Sequence, residues 1–318
     1  MDAAPRPASW KIILAFAIIY VVWGSTFLAI RVGVREVPPL LLAALRFLLA
    51  GVILLAWSLF QGERLPSARH WRSAAGLAVL IFVLDYGSVF WAEQRIASGI
   101  TAMIMATIPV FLSLGEILML RTRRLTGGLA FALLTGIGGV AVLMSPSLSL
   151  GGAPIDRAGA AALLLAGVSW SIASVLTPKL PLPSSKAMSS GAQMLTGGVL
   201  LTLTAALFGE FPRFHPDAVS AKAWLCLLYL TIAGSVIAFT AYVWLIHHES
   251  PARVGTYAYV NPVVAVVLGY FLADEPLGLR TVLGSAFVLL SVVLIASGKR
   301  VTPPPRRLLS KTGSPSGA

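Results

Sequence analysis

Three charged side chains stand in otherwise apolar stretches. Arg46 lies among leucines and alanines, Asp85 between Leu84 and Tyr86, and Glu116 after Leu114 and Gly115. A charged residue at the bilayer centre costs roughly 2.5–3.5 kcal/mol on insertion scales, so each should face a helix bundle and not lipid. Asp85 has two readings: a group that exchanges a proton or meets a cationic substrate, or a protonated carboxyl bonded to a neighbouring helix. Arg46 lies at a depth that permits pairing with Asp85, and a guanidinium that organises helices need not touch substrate. Glu116, a turn before Arg121, Arg123 and Arg124, reads as a gate or internal proton acceptor, or as a carboxylate snorkelling to those arginines.

The second half offers no Asp, Glu, Lys or Arg deep in its apolar stretches. Contacts there must come from Gln193, Tyr242, Tyr257, Tyr259, Asn261 and aromatic rings, facing Trp23, Ser25, Thr26 and Tyr86 of the first half. Trp91 and Trp170 are either cavity walls or interfacial anchors. So few charges among several aromatics suit a neutral, zwitterionic or amphiphilic small molecule. Sugar-phosphate exchange would require a basic cluster at depth. Gly24, Pro109 and Pro262 are expected helix breaks that free backbone groups for bending, although small residues and prolines are also ordinary packing features of membrane helices.

No catalytic, cofactor or metal site is legible. The apolar stretches hold no histidine at depth and no nucleophile with a base, His247 and His248 are adjacent instead of one turn apart, and Cys226 is the single cysteine. A membrane-embedded enzyme and a channel remain the rival classes. The first lacks its chemistry, and the second lacks a filter loop or charge ring.

These residues are positioned by long apolar helices. Only 11% of the 318 residues are charged and 57% are hydrophobic, a composition that cannot build a water-facing surface. Crossing about 30 Å of hydrocarbon takes about 20 residues of helix. Ten stretches qualify, at 12–34, 39–60, 74–91, 99–120, 127–144, 159–176, 187–208, 224–246, 252–273 and 279–297. Lys11 precedes the first, which lacks a signal-peptide cleavage pattern and reads as a span. With the N-terminus inside, cytoplasmic segments carry 16 Lys and Arg and the opposite side carries 6, so both termini are expected in the cytoplasm. That distribution gives the net charge of +12 a topological role and excludes nucleic-acid binding. Residues 1–11 form a cytoplasmic N-terminus, and residues 299–318, rich in Pro, Ser and basic groups, a disordered basic tail.

An offset of 153 places Trp91 on Trp244 and Pro109 on Pro262, and an offset of 147 places Trp23 on Trp170. Five spans per unit is odd, so the second unit enters the membrane inverted. The fold expected is an all-α integral membrane protein of ten transmembrane helices in two inverted five-helix repeats, 12–145 and 146–298.

The stretch WGSTFLAIRVGVREVPPLLLAALRFLLAGVILL from Trp23, AEQRIASGITAMIMATIPVF from Ala92 and YAYVNPVVAVVLGYFLADEPLG from Tyr257 resemble EamA-type transporters of the drug/metabolite transporter superfamily. The likeness is nearest to bacterial inner-membrane members of the metabolite-exporter branch and covers 10–299. It implies alternating access and export of metabolites, amino acids or drug-like amphiphiles across the cell inner membrane. One departure is the Asp274-Glu275-Pro276 turn, which the first repeat lacks, Thr122 falling opposite Glu275; the turn itself suits a helix N-terminus, with acids complementing the dipole and proline in the first turn.

Overall fold

The computed structural model describes residues 8–120, 125–144, 155–248, 254 and 257–297. The expected N-terminal segment up to residue 7, Thr122 with its arginines, the junction between halves at 145–154 and the tail from 298 lie outside the described residues. So do the side chains of Glu116 and Tyr259.

Among the described residues every regular element is helical. In chain order these are α1 (Ser9–Gly33), α2 (Pro39–Phe60), α3 (Ala68–Ala92), α4 (from Ser98–Met105 through Ile108–Gly115), α5 (Gly127–Met144), α6 (Arg157–Leu176), α7 (Lys186–Leu207), α8 (from Ala221–Tyr229 through Ala238–His248), α9 (Tyr257–Ala273) and α10 (Leu279–Ser297). Seven of them, α1 to α4 and α6 to α8, are long and apolar enough to cross a membrane; α5, α9 and α10 contain shorter apolar helices.

Local chemistry sets the starts. Pro38 and Pro39 open α2, where a missing N–H costs nothing. Asp156, Ser185 and Ser220 accept from the N–H groups of Gly159, Met188 and Ala223 to open α6, α7 and α8. The ends of α2 and α7 share one device. Gly62 at φ +82° and Gly209 at φ +65° turn the chain left-handed, and the next residues, Glu63 and Glu210, donate their N–H to Ser58 and Ala205.

The largest helix contact is α2 on α7, followed by α5 on α10; α1 lies on α8 and α9, α6 on α3 and α4, and α4 on α9. Glycines set how near α2 and α7 come. A Cβ on Gly51 would lie 2.5 Å from Leu195 N, and one on Gly198 would lie 2.7 Å from Leu48 N. Leu42, Phe47, Phe90, Leu163, Leu201 and Leu230 are fully buried between the helices. Phe131, Leu134, Leu207 and Phe271 are exposed outward, an apolar surface suited to lipid.

Two expected breaks do not occur. Helix α1 runs unbroken through Gly24, because that glycine serves close packing: a Cβ there would stand 2.6 Å from Val264 Cβ on α9. Helix α9 likewise continues through Pro262, which sits within its second turn. Pro109 is different. Helix α4 is interrupted at Ala106 and Thr107, and Pro109 is the second residue of the resumed helix, where its ring is tolerated.

Candidate functional site

Helices α3 and α8 each widen into a π-helical turn, at Val79–Tyr86 and Leu230–Ile237. Such turns loosen the regular backbone ladder and often sit at functional sites. Each receives a donor from another helix. The indole N–H of Trp23 on α1 donates to Gly234 O at 3.1 Å, and the Ser169 hydroxyl on α6 donates to Leu80 O at 2.8 Å. Asp85 and Tyr86 close the first turn; Gly234 and Ser235 lie in the second.

Around these turns the aromatic residues converge. Trp23 lies 5.3 Å from Tyr242 and 5.1 Å from Tyr257 between ring centroids. Phe47 lies 4.7 Å from both Phe82 and Tyr86, and Tyr86 meets Trp170 edge-on at 6.3 Å. Arg46 joins the second group to the turn of α8 that also receives Trp23. Its guanidinium stands 4.8 Å from the Phe47 ring centre and 5.3 Å from that of Tyr86, while Nε donates to Ser235 Oγ at 2.9 Å. Gly234 makes room, since a Cβ there would come within 3.0 Å of the Thr26 methyl and 3.2 Å of Arg46 Nη2. Ser25 shares a 2.6 Å hydrogen bond with Tyr229.

Arg46 and Asp85 are both buried, but they form no ion pair; among the described residues the one ion pair joins Arg95 to Asp156 at 3.5 Å. Asp85 Oδ1 and Arg46 Nη1 are buried without a hydrogen-bond partner. Trp23, Thr26, Arg46, Tyr86, Trp170, Tyr242 and Tyr257 therefore come together. Other candidates stand apart. Gln193 donates to Ser189 one turn back on its own helix. Trp91 is covered by the Arg95 guanidinium at 4.0 Å, at the end of α3. Asn261 ties α1 to α9, its amide nitrogen 3.2 Å from both Tyr20 O and Tyr257 O in the orientation that satisfies both.

A second polar group lies at one end of the bundle, and sequence reasoning missed it. Glu275 accepts from Ser98 N at 2.7 Å and Gly99 N at 3.1 Å, capping α4, whereas its position suggested a role at its own helix start. Glu210 caps α2 through Leu40 N and Leu41 N, and Glu36 holds Ser220 N and Oγ at 2.6 and 2.8 Å. Arg31 donates to Glu93 O, and Gln94 to Val34 O. Glu93 is fully buried with both carboxyl oxygens unpartnered. Burial and then repulsion from Glu275 push its carboxyl well above the ordinary carboxylate range, Arg31 opposing. Hydrogen bonds from Ser220 lower Glu36, whereas burial raises Glu210 against the pull of its two backbone donors.

The model of the EamA-like transporter family matches residues 10–145 and again 157–297. The chain belongs to the EamA-like transporter family. It is 38% identical to the inner membrane transporter YedA of Escherichia coli (strain K12) over 90% of both chains. It is 27% identical to the protein PecM of Dickeya dadantii (strain 3937), covering 86% of this chain and 88% of that one. A crystal structure at 21% identity matches the fold with a TM-score of 0.61, over 91% of this chain and 96% of the other. The likeness read from the tryptophan-glycine stretch at Trp23 and the turn after Tyr257 thus holds for the whole helical region of this EamA-like chain, which is a multi-pass membrane protein.

Proposed function

We propose that this EamA-like protein is a secondary carrier of the cell inner membrane that exports small metabolites, amino acids or amphiphilic compounds by alternating access, and that it is not an enzyme. Its ten helices span the bilayer as two inverted five-helix repeats, 12–145 and 146–298, with both termini cytoplasmic. The substrate passes through the site around Trp23, Arg46, Tyr86, Trp170, Tyr242 and Tyr257.

The observation that carries this reading is reciprocal packing at the centre. Gly51 and Gly198 are related by the same offset of 147 that relates Trp23 to Trp170, and so are Leu48 and Leu195. Gly51 faces Leu195 while Gly198 faces Leu48. An exchange of partners of this kind is what a two-fold relation produces. Three further pairs follow it: the glycine turns at Gly62 and Gly209, the π turns of α3 and α8, and the contacts of α1 with α9 against those of α6 with α4. Inverted repeats of this sort give carriers one central site with two openings.

The end carrying Glu36, Glu93, Glu210 and Glu275 is the closed side. Glu36 to Ser220, Glu210 to Leu40 and Leu41, Glu275 to Ser98 and Gly99, and Arg95 to Asp156 all join one half to the other. These bonds must part when that side opens. Asp85 is the coupling candidate at the site, with Glu116 as the second; if Asp85→Asn leaves both uptake and its pH dependence unchanged, protons do not couple through it.

Counterflow in proteoliposomes tests the carrier function, with labelled neutral and zwitterionic amino acids beside amphiphilic cations. Transient accumulation against an internal load, absent from empty vesicles, is the expected result. Folded protein that accumulates none of these compounds would count against carriage of these classes.

A further inference from the structure

Arg46 is 3% exposed, and among the described residues no carboxylate lies within ion-pair distance of it. A fixed cation in that setting is costly, because hydrocarbon and packed side chains replace water without supplying a counter-charge. Its donors are unevenly used. Nε is satisfied by Ser235, the planar face is covered by Phe47 and Tyr86, and Nη1 has no acceptor. A guanidinium held by its Nε and its faces has its remaining N–H groups oriented in advance, the geometry that suits a carboxylate. Gly234 lets the guanidinium sit this close to α8, because a Cβ there would stand 3.0 Å from the Thr26 methyl and 3.2 Å from Arg46 Nη2.

We propose that Arg46 Nη1 holds the carboxylate of the transported solute, and that the substrates are small monocarboxylates, zwitterionic amino acids foremost. This deepens the carrier function proposed above and presupposes it. The amine or apolar part of such a solute lies against Trp23, Tyr242 and Tyr257, whose rings offer faces to a cation and area to a hydrocarbon chain. One guanidinium supplies one anion site. Polyanions are excluded, because no second cation faces this cluster among the described residues and Asp85 adjoins Tyr86 in the same turn. Amphiphilic cations lacking a carboxylate leave Nη1 unpaired and are poor substrates.

The test measures thermal unfolding of the purified full chain in detergent with leucine, phenylalanine and threonine, each beside its amide, in which the carboxylate is masked. At least one acid should stabilise the protein, with its amide weaker by about tenfold or more in apparent affinity. Arg46→Met should lose that response and Arg46→Lys keep part of it. Since Arg46→Met removes a buried side chain, its folding is checked by size exclusion; if it does not fold, the comparison of acid with amide on the unaltered chain decides alone. An amide as effective as its acid, an undiminished response in Arg46→Met, or no response to any of the acids overturns the assignment. Counterflow of ethidium run in parallel separates the two levels: carriage of ethidium with no response to acids removes the carboxylate site and leaves the carrier, whereas loss of both removes the carrier as well.

Discussion

Gly51→Ala should destabilise the protein although alanine is the better helix former. Placed on α2, the new methyl would lie 2.5 Å from Leu195 N and 2.7 Å from Leu195 Cα. These are backbone atoms of α7, so no rotamer change relieves the contact, and the helices must part by the better part of an ångström. Overpacking of this kind costs about 1–3 kcal/mol, against a gain of about 1 kcal/mol from replacing glycine within a helix. The net loss should be up to about 2 kcal/mol. Gly76 on α3 supplies the control, because a Cβ there meets nothing within 4 Å; Gly76→Ala should leave stability unchanged or raise it by up to about 1 kcal/mol. Gly198→Ala should behave as Gly51→Ala does, since its Cβ would lie 2.7 Å from Leu48 N. The double variant should lose less than the sum of the two, because one separation of α2 from α7 relieves both contacts. Thermal unfolding followed by tryptophan fluorescence in one detergent measures all five proteins. If Gly51→Ala and Gly76→Ala shift the transition equally and upward, close backbone packing does not govern this crossing.

Other substitutions address the closed end and the site. Glu275→Gln leaves one oxygen to accept and turns an amide donor toward Ser98 N or Gly99 N; with charged acceptors worth about 1.5–3 kcal/mol each, amide exchange at the start of α4 should accelerate about tenfold or more, and unchanged exchange would mean that the cap is not formed. Glu93, with its carboxyl raised by burial, makes folding least costly at low pH; stability falls as pH climbs above the unfolded value of about 4.3 toward the higher folded value. Glu93→Gln should flatten the dependence of unfolding temperature on pH above about 4.3, and an unaltered slope would assign it to another group. Trp23→Phe keeps a ring against Tyr242 and Tyr257 but deletes the donor to Gly234 O, which should cost about 0.5–1.5 kcal/mol and slow counterflow, whereas full rate and stability would show that the indole N–H is dispensable.

Much of the site could be read from composition along the chain. Arg46 and Asp85 announce themselves as charges in apolar runs, and both are buried. Trp23, Tyr242 and Tyr257 were nominated as aromatics at depth, and they pack on one another. Their partners were not legible. Ser235 is one serine among many, and nothing local says that Arg46 will reach it across α8. Pairing Arg46 with Asp85 was the natural expectation from depth alone, but depth does not specify the direction in which a helix face points. Glu275 looked like an acid at its own helix start because local spacing cannot encode a carboxylate reaching α4. Phe82 and Tyr86 carried a weak signal, standing four apart on one helix face, and the π turn that aims them is set by contacts from other helices. Gly24 fits the packing alternative and Pro262 does not break its helix, because small residues and prolines in membrane helices serve packing as often as bending, and only the neighbouring helix decides which.

In the proposed alternating-access cycle the contact between Glu36 and Ser220 breaks each time that side opens. Replacing both by cysteine in a Cys226→Ser background and joining them with a short thiol-cleavable bridge fixes that side shut. Counterflow in proteoliposomes should then cease and return on reduction, with each single cysteine variant treated alike and still active. Undiminished counterflow with the bridge intact would contradict the mechanism, because solute would be crossing without opening the side that the carboxylates close.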